Sequence, residues 1–134
     1  MPIIAISGGF DPIHEGHIRL IHDAALIGDV VVILNSDEWL VRKKGYCFQP
    51  WLSRAYILRA ITGVKEVVPV DDGDGTVLNG LMALKPDYFA NGGDRTAQNT
   101  PEMVYCLDYG IKPLWGIGGE KVASSSELVR AVHG

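Results

Sequence analysis

Short runs of aliphatic and β-branched residues at 3–7, 30–34, 64–70, 88–90 and 113–117 alternate along the chain with segments whose apolar residues recur at helical spacing. That alternation is the signature of parallel strands joined by crossover helices. Helices are expected over 16–27, from Pro50 through Trp51, Ala55 and Leu58, along the stripe Val77, Leu78, Leu81 and Met82, over 101–109 and over 126–132. In the first of them Ile18, Ile21 and Ala25 share a face, Arg19 and Asp23 are spaced for an i,i+4 pair, and Gly28 closes the segment. Pro86 ends the third. Arg42, Lys43, Lys44 and Gly45 read as a polar loop, and Asp71, Asp72, Gly73, Asp74 and Gly75 as a solvent-exposed acidic turn. Right-handed crossovers in this order predict an α/β chain with a doubly wound, Rossmann-like, five-stranded parallel sheet, in one domain over 1–134.

Composition narrows the function. A chain of 134 residues buries roughly two thirds of its unfolded surface, so its core needs no disulfide. Cys47 and Cys106 form no CxxC and fit a reducing compartment. Twelve Lys and Arg against sixteen Asp and Glu leave a formal charge of −4, which lacks the positive field of a nonspecific duplex binder. No apolar run approaches the ~20 residues of a membrane span, and residues 1–7 carry no secretory signal. The expectation is a cytoplasmic protein with neither nucleic acid nor membrane as partner, whose polyanionic ligands are held locally.

In open α/β sheets the ligand lies beyond the carboxyl ends of the strands, where strand order reverses. The most informative cluster at such an end is Gly8, Gly9, Phe10, Asp11, Pro12, Ile13, His14, Glu15, Gly16 and His17, between the first strand and first helix. Adjacent glycines permit close backbone approach to a bulky anion, and the helix start adds N–H groups and a positive dipole end. His14 and His17 are three apart, on one side of the first helical turn, with Gly16 leaving room for a ligand. As donors, two imidazoles neutralise charge that grows on phosphoryl oxygens during transfer. Helix capping by the histidines and a zinc site from Asp11, His14 and His17 are the alternatives. A second helix start, Ser124, Ser125, Ser126 and Glu127, combines a capping box with hydroxyl and N–H donors for the β and γ phosphates.

The run 8–17 resembles the first loop of the cytidylyltransferase-like nucleotidyltransferases, G-x-F-D-x-x-H-x-G-H. The likeness continues through Asn35, Ser36 and Asp37, Lys44 and Gly45, Arg54, Pro86 and Asp87, Gly92, Gly93 and Asp94, and the three serines, with glycerol-3-phosphate cytidylyltransferases and heptose-phosphate nucleotidyltransferase domains as the nearest forms. The resemblance implies a single-step transfer in which a substrate phosphate attacks the α-phosphorus of CTP, or of ATP, and expels pyrophosphate, with Mg2+ accompanying the triphosphate. It implies that Lys44 binds phosphate, that Arg54 lies at the acceptor or triphosphate edge, and that Asp11 contacts the acceptor phosphate or the metal shell. It also implies that residues 91–95, Gly92 and Asp94 among them, touch base and ribose. The family's arginine before the serines is missing here; Gly119 stands near its place and Lys121 two positions on.

The expected partners are therefore a nucleoside triphosphate and a phosphorylated polyol or sugar. A homodimer is expected as well, with Trp39, Trp51 or Trp115 exposed to contribute to it. Two rival readings remain: an adenylyltransferase of a cofactor precursor such as a mononucleotide, and a nucleotide-binding regulatory module without chemistry.

Overall fold

Within residues 1–92 and 101–117, which the structure, a computed structural model, describes, ten elements follow in order. They are β1 (Ile3–Gly8), α1 (Glu15–Ala25), β2 (Asp29–Leu34), α2 (Asp37–Lys44), α3 (Trp51–Arg59), β3 (Val64–Pro69), α4 (Leu78–Leu84), β4 (Tyr88–Gly92), α5 (Pro101–Tyr109) and β5 (Lys112–Ile117). All strand pairs are parallel, in the order β3-β2-β1-β4-β5. The chain winds from β1 out to β3 and returns to the other side of β1, so strand order reverses between β1 and β4. The doubly wound sheet expected from the alternation is what forms. The expected helix over 126–132 lies outside the described residues.

Alternate side chains of a strand point to opposite faces, and both faces here are apolar. Ile4 and Ile6 of β1 join Val30, Val32 and Leu34 under α1 and α3, where Ile21, Ala24, Ala55 and Leu58 complete one core. Ala5 and Ile33 face the other way, against Leu81 of α4, Cys106 of α5, Phe89 and Ile111. Burial on both faces explains why 30–34 is an unbroken apolar run, whereas the edge strand β3 leaves Lys65 and Glu66 exposed. Among the described residues no helix is long and apolar enough to cross a membrane. Both thiols are free, and burial pushes that of Cys106 up to about 11.

Arg19 pairs with Glu15, one turn before it on α1. Several local expectations are corrected. Leu26, not Gly28, caps α1, with Gly28 N–H still reaching the Ala24 carbonyl at 3.1 Å. Met82 is 50% exposed, because α4 starts at Leu78 and turns Leu81 rather than Met82 to the core. Trp39 and Trp51 are half-buried, not exposed: Lys43 Nζ lies over the Trp39 ring, and Trp51 Nε1 donates to the Leu34 carbonyl at 3.1 Å. The side chain of Trp115 is outside the described residues.

The largest correction is α2, which forms where a loop holding Arg42, Lys43, Lys44 and Gly45 was expected. Its start and stop signals are complete. The Ser36 hydroxyl accepts from Trp39 N–H, Asp37 and Glu38 occupy the first turn, three cations occupy the last, and Gly45 ends it at φ 87. Only Leu40 is buried, so no apolar stripe advertised the helix. Asp72 supplies the anchor. Against the expectation of an exposed turn it is buried, and it accepts from Ser36 N–H at 2.8 Å, Ser36 Oγ at 2.6 Å and Asn35 Nδ2 at 2.9 Å. Asp71 and Asp74 stay exposed as expected.

Burial alone would raise the Asp72 pKa, but the hydrogen bonds from Ser36 and Asn35 outweigh it and hold the carboxyl below its ordinary value. A carboxylate favoured in the folded state stabilises above the unfolded pKa and loses that stabilisation as pH falls through the folded one. Asp72→Asn is therefore expected to lower the urea midpoint at neutral pH, with the gap to wild type closing below about pH 4. A gap that is constant from neutral to acid pH would show that the charge of Asp72 does not support α2.

Candidate active site

The loop after β1 is shaped by two residues that turn inward. Phe10 adopts a left-handed backbone at φ 49 and drops its ring into the core, 5% exposed, with its edge against His17 at 4.7 Å between centroids. Asp11 is fully buried. Its two carboxylate oxygens accept from Phe48 N–H at 2.6 Å and Gln49 N–H at 2.7 Å, which ties the segment between α2 and α3 to the loop. The chain then reaches α1, whose N-cap is His14.

Here the two histidines meet. His14 Nδ1 accepts from Gly16 N–H at 3.1 Å, and His17 Nδ1 accepts from His14 N–H at 3.1 Å, so the pair forms a reciprocal capping box. The rings stack at 3.8 Å between centroids with a 24° tilt, both half-buried. A nitrogen that accepts carries no proton, so in each neutral ring the proton sits on Nε2. Capping and ligand chemistry are thus not rivals: one nitrogen of each ring builds the helix start, and the other holds a donor proton. A Cβ on Gly16 would lie 3.0 Å from His14 Cε1, so the space that glycine leaves is filled by the imidazole itself. Gly8 and Gly9 carry the backbone from the end of β1 into the turn.

The cationic residues are placed differently from one another. Lys44, the last residue of α2, donates from Nζ to the Asp11 carbonyl at 2.9 Å and lies over the Tyr46 ring, which brings it to the histidine loop. Burial holds its pKa below the ordinary lysine value, with the Asp11 charge acting in the opposite direction. Arg54 does not reach an open face. It is 1% exposed; Nε donates to the Gln49 carbonyl at 2.9 Å, NH1 to the Gly9 and Asn35 carbonyls at 2.9 and 2.8 Å, and NH2 to Asp37. Arg54, expected at the acceptor or triphosphate edge, stands here as a strut joining the β1 loop, the end of β2, α2 and the start of α3. Asp11, expected at the acceptor phosphate or metal shell, is likewise engaged with backbone.

Asn35, Ser36 and Asp72 form a support that the sequence reading did not assemble. The separation of Asp72 from Ser36, 36 residues, leaves no local signal for it. Asp94, Lys121, Ser124, Ser125 and Ser126 lie outside the described residues. Gly92 ends β4, the strand that neighbours β1 at the reversal. Among the described residues no group of three His, Cys, Asp or Glu side chains is placed to hold a metal ion, so Asp11, His14 and His17 do not assemble as the zinc site.

Asp11→Asn tests the loop anchor. An amide presents one acceptor and one donor to two N–H groups, which leaves a buried mismatch worth about 1–3 kcal/mol. A lowered urea midpoint of that size is expected; an unchanged midpoint would show that the carboxylate does not hold residues 48 and 49.

Residues 5–113 match the profile of the cytidylyltransferase-like family. The chain is 33% identical over 135 residues to the bifunctional protein HldE of Streptomyces coelicolor, covering 98% of this chain and 29% of that protein. It is 33% identical over 92 residues to an FAD synthase of Archaeoglobus profundus, covering 69% of this chain and 58% of the synthase. The crystal structure of a lipopolysaccharide core biosynthesis protein from Thermoplasma volcanium superposes with a TM-score of 0.73 at 22% identity, over 90% of this chain and 99% of that one, which shows a shared fold. The chain spans under a third of the HldE protein and a little over half of the FAD synthase.

Proposed function

Because the chain belongs to the cytidylyltransferase-like family, we propose that it transfers a nucleoside monophosphate from CTP or ATP to a phosphorylated polyol or sugar and releases pyrophosphate. The observation that carries this reading is the stacked His14 and His17 pair at the opening of α1, beside the strand-order reversal. An oxygen of the acceptor phosphate attacks the α-phosphorus; the bond to the bridging oxygen breaks, and pyrophosphate departs with that electron pair. Nε2–H groups of the two rings donate to the oxygens on which charge grows, and the helix opening adds its dipole. Lys44 brings positive charge to the same loop. Ser124, Ser125 and Ser126 are assigned to the β and γ phosphates, and Gly92 and Asp94 to the nucleoside.

Magnesium, which neutralises triphosphate charge when bound, would ride on the oxygens of the nucleotide. Asp11 is fully buried, with its carboxylate on the Phe48 and Gln49 N–H groups, so its part here is to hold the loop beneath the nucleotide. The FAD synthase relative favours one second reading, adenylyl transfer to a cofactor precursor. Pairing of two copies belongs to the same proposal: Leu52 and Tyr56, one turn apart on α3, are 76% and 78% exposed. Light scattering reads the mass.

Pyrophosphate release in the presence of magnesium, measured for CTP, ATP, GTP and UTP against polyol phosphates, sugar phosphates and mononucleotides, tests the assignment. Release with CTP or ATP and a polyol or sugar phosphate is expected. Release only with ATP and a mononucleotide favours the second reading. Nucleotide binding without release for any acceptor favours a regulatory module.

A further inference from the structure

A cleft of about 610 Å³ opens at the amino ends of β4 and β5, the opposite end of the sheet from the histidines. Its chemistry is carried by Lys85, Asp87, Tyr88, Tyr105, Tyr109 and Lys112. Tyr105 and Tyr109, one turn apart on α5, stack at 4.5 Å with a 22° tilt, and Tyr109 is 70% exposed. Tyr105 packs its inner side on the core beside Leu81 and Cys106, and Tyr109, stacked on it, carries the aromatic surface out to solvent. Two cations flank it. Neither Lys85 nor Lys112 has an ion pair or a side-chain hydrogen bond among the described residues. The one carboxylate of the cleft, Asp87, accepts from Ile3 N–H at 2.8 Å, so it is turned to the sheet backbone. Lys85 also closes α4 in a left-handed conformation at φ 51, a position where Gly or Asn is the usual occupant. A lysine held there keeps an ammonium at the mouth of the cleft against the local preference of the backbone.

Flat aromatic surface beside uncompensated ammonium groups is the recognition chemistry of a ring bearing a phosphate. The volume lies within the range of small-molecule sites. We propose that this cleft is a second ligand site that takes an aromatic phosphate monoester, its ring on the tyrosine pair and its phosphate toward Lys85 and Lys112.

The test is a fluorescence titration of the whole chain with 1-naphthyl phosphate, with 1-naphthol and inorganic phosphate as the two halves of the probe. Saturable binding is expected, at least about tenfold tighter than either half alone. Tyr109→Ala and Lys112→Ala, both at exposed positions, are each expected to weaken it by about tenfold with an unchanged melting temperature. His17→Asn is expected to leave it unchanged. The proposal is overturned if no saturable binding is found, if inorganic phosphate binds as tightly as the naphthyl ester, or if His17→Asn abolishes binding that Tyr109→Ala and Lys112→Ala leave intact.

Discussion

His17→Asn and His17→Ala are expected to slow pyrophosphate release by similar factors, roughly 10² or more, because a donor lost from the transition state costs about 3 kcal/mol. Their stabilities should differ. The Oδ1 of asparagine stands where the imidazole Nδ1 stands, so His17→Asn keeps an acceptor for His14 N–H, whereas His17→Ala loses a cap worth about 1 kcal/mol. His14→Asn sharpens the contrast, because asparagine is a better N-cap than histidine and can still accept from Gly16 N–H. That variant should melt at the same temperature as wild type or higher while losing turnover. A helix start that uses a weaker cap where a stronger one fits points to work for the second ring nitrogen. Retained turnover in both asparagine variants would reduce the histidines to caps.

Arg54→Met is expected to give the largest loss of stability, about 3–5 kcal/mol, read as a fall in melting temperature of order 10 °C or more. The methionine fills similar length without a donor, and the Gly9, Asn35 and Gln49 carbonyls lose charged hydrogen bonds together. Arg54→Lys should not restore it, since one ammonium cannot span the same acceptors as a planar guanidinium. A loss under about 1 kcal/mol in Arg54→Met would show that the strut is dispensable and reopen a ligand role for this cation.

The contrast between Arg54 and His14 marks how far the residues could be read before the coordinates. Periodicity exposed the sheet, because two-sided burial leaves unbroken apolar runs such as 30–34 and amphipathic α1 beside them. The histidine loop was legible because its glycines, spacing and helix start lie within ten consecutive residues. α2 went unread although its cap, charge gradient and terminal glycine were all present, because the reading was weighted to apolar stripes and this helix buries one side chain. Asp11, Arg54 and Asp72 share a different cause. Each is a charged residue whose burial is repaid largely by partners far along the chain, at separations of 37 and 38 for Asp11, of 45 and 19 for Arg54 beside its local bond to Gln49, and of 36 and 37 for Asp72. In a linear string such a residue is indistinguishable from one that faces a ligand, and the family likeness of Arg54 and Asp11 said nothing of these partners within the fold.

The most direct measurement is the NMR spectrum of the imidazole nitrogens in ¹⁵N-histidine-labelled protein, titrated with CTP or ATP and magnesium. The expected result is that Nε2 of both His14 and His17 shifts with nucleotide while each Nδ1 keeps the signature of an acceptor bonded to a backbone N–H. Saturable nucleotide binding that leaves both Nε2 resonances in place would contradict the assignment of these rings to the polyphosphate.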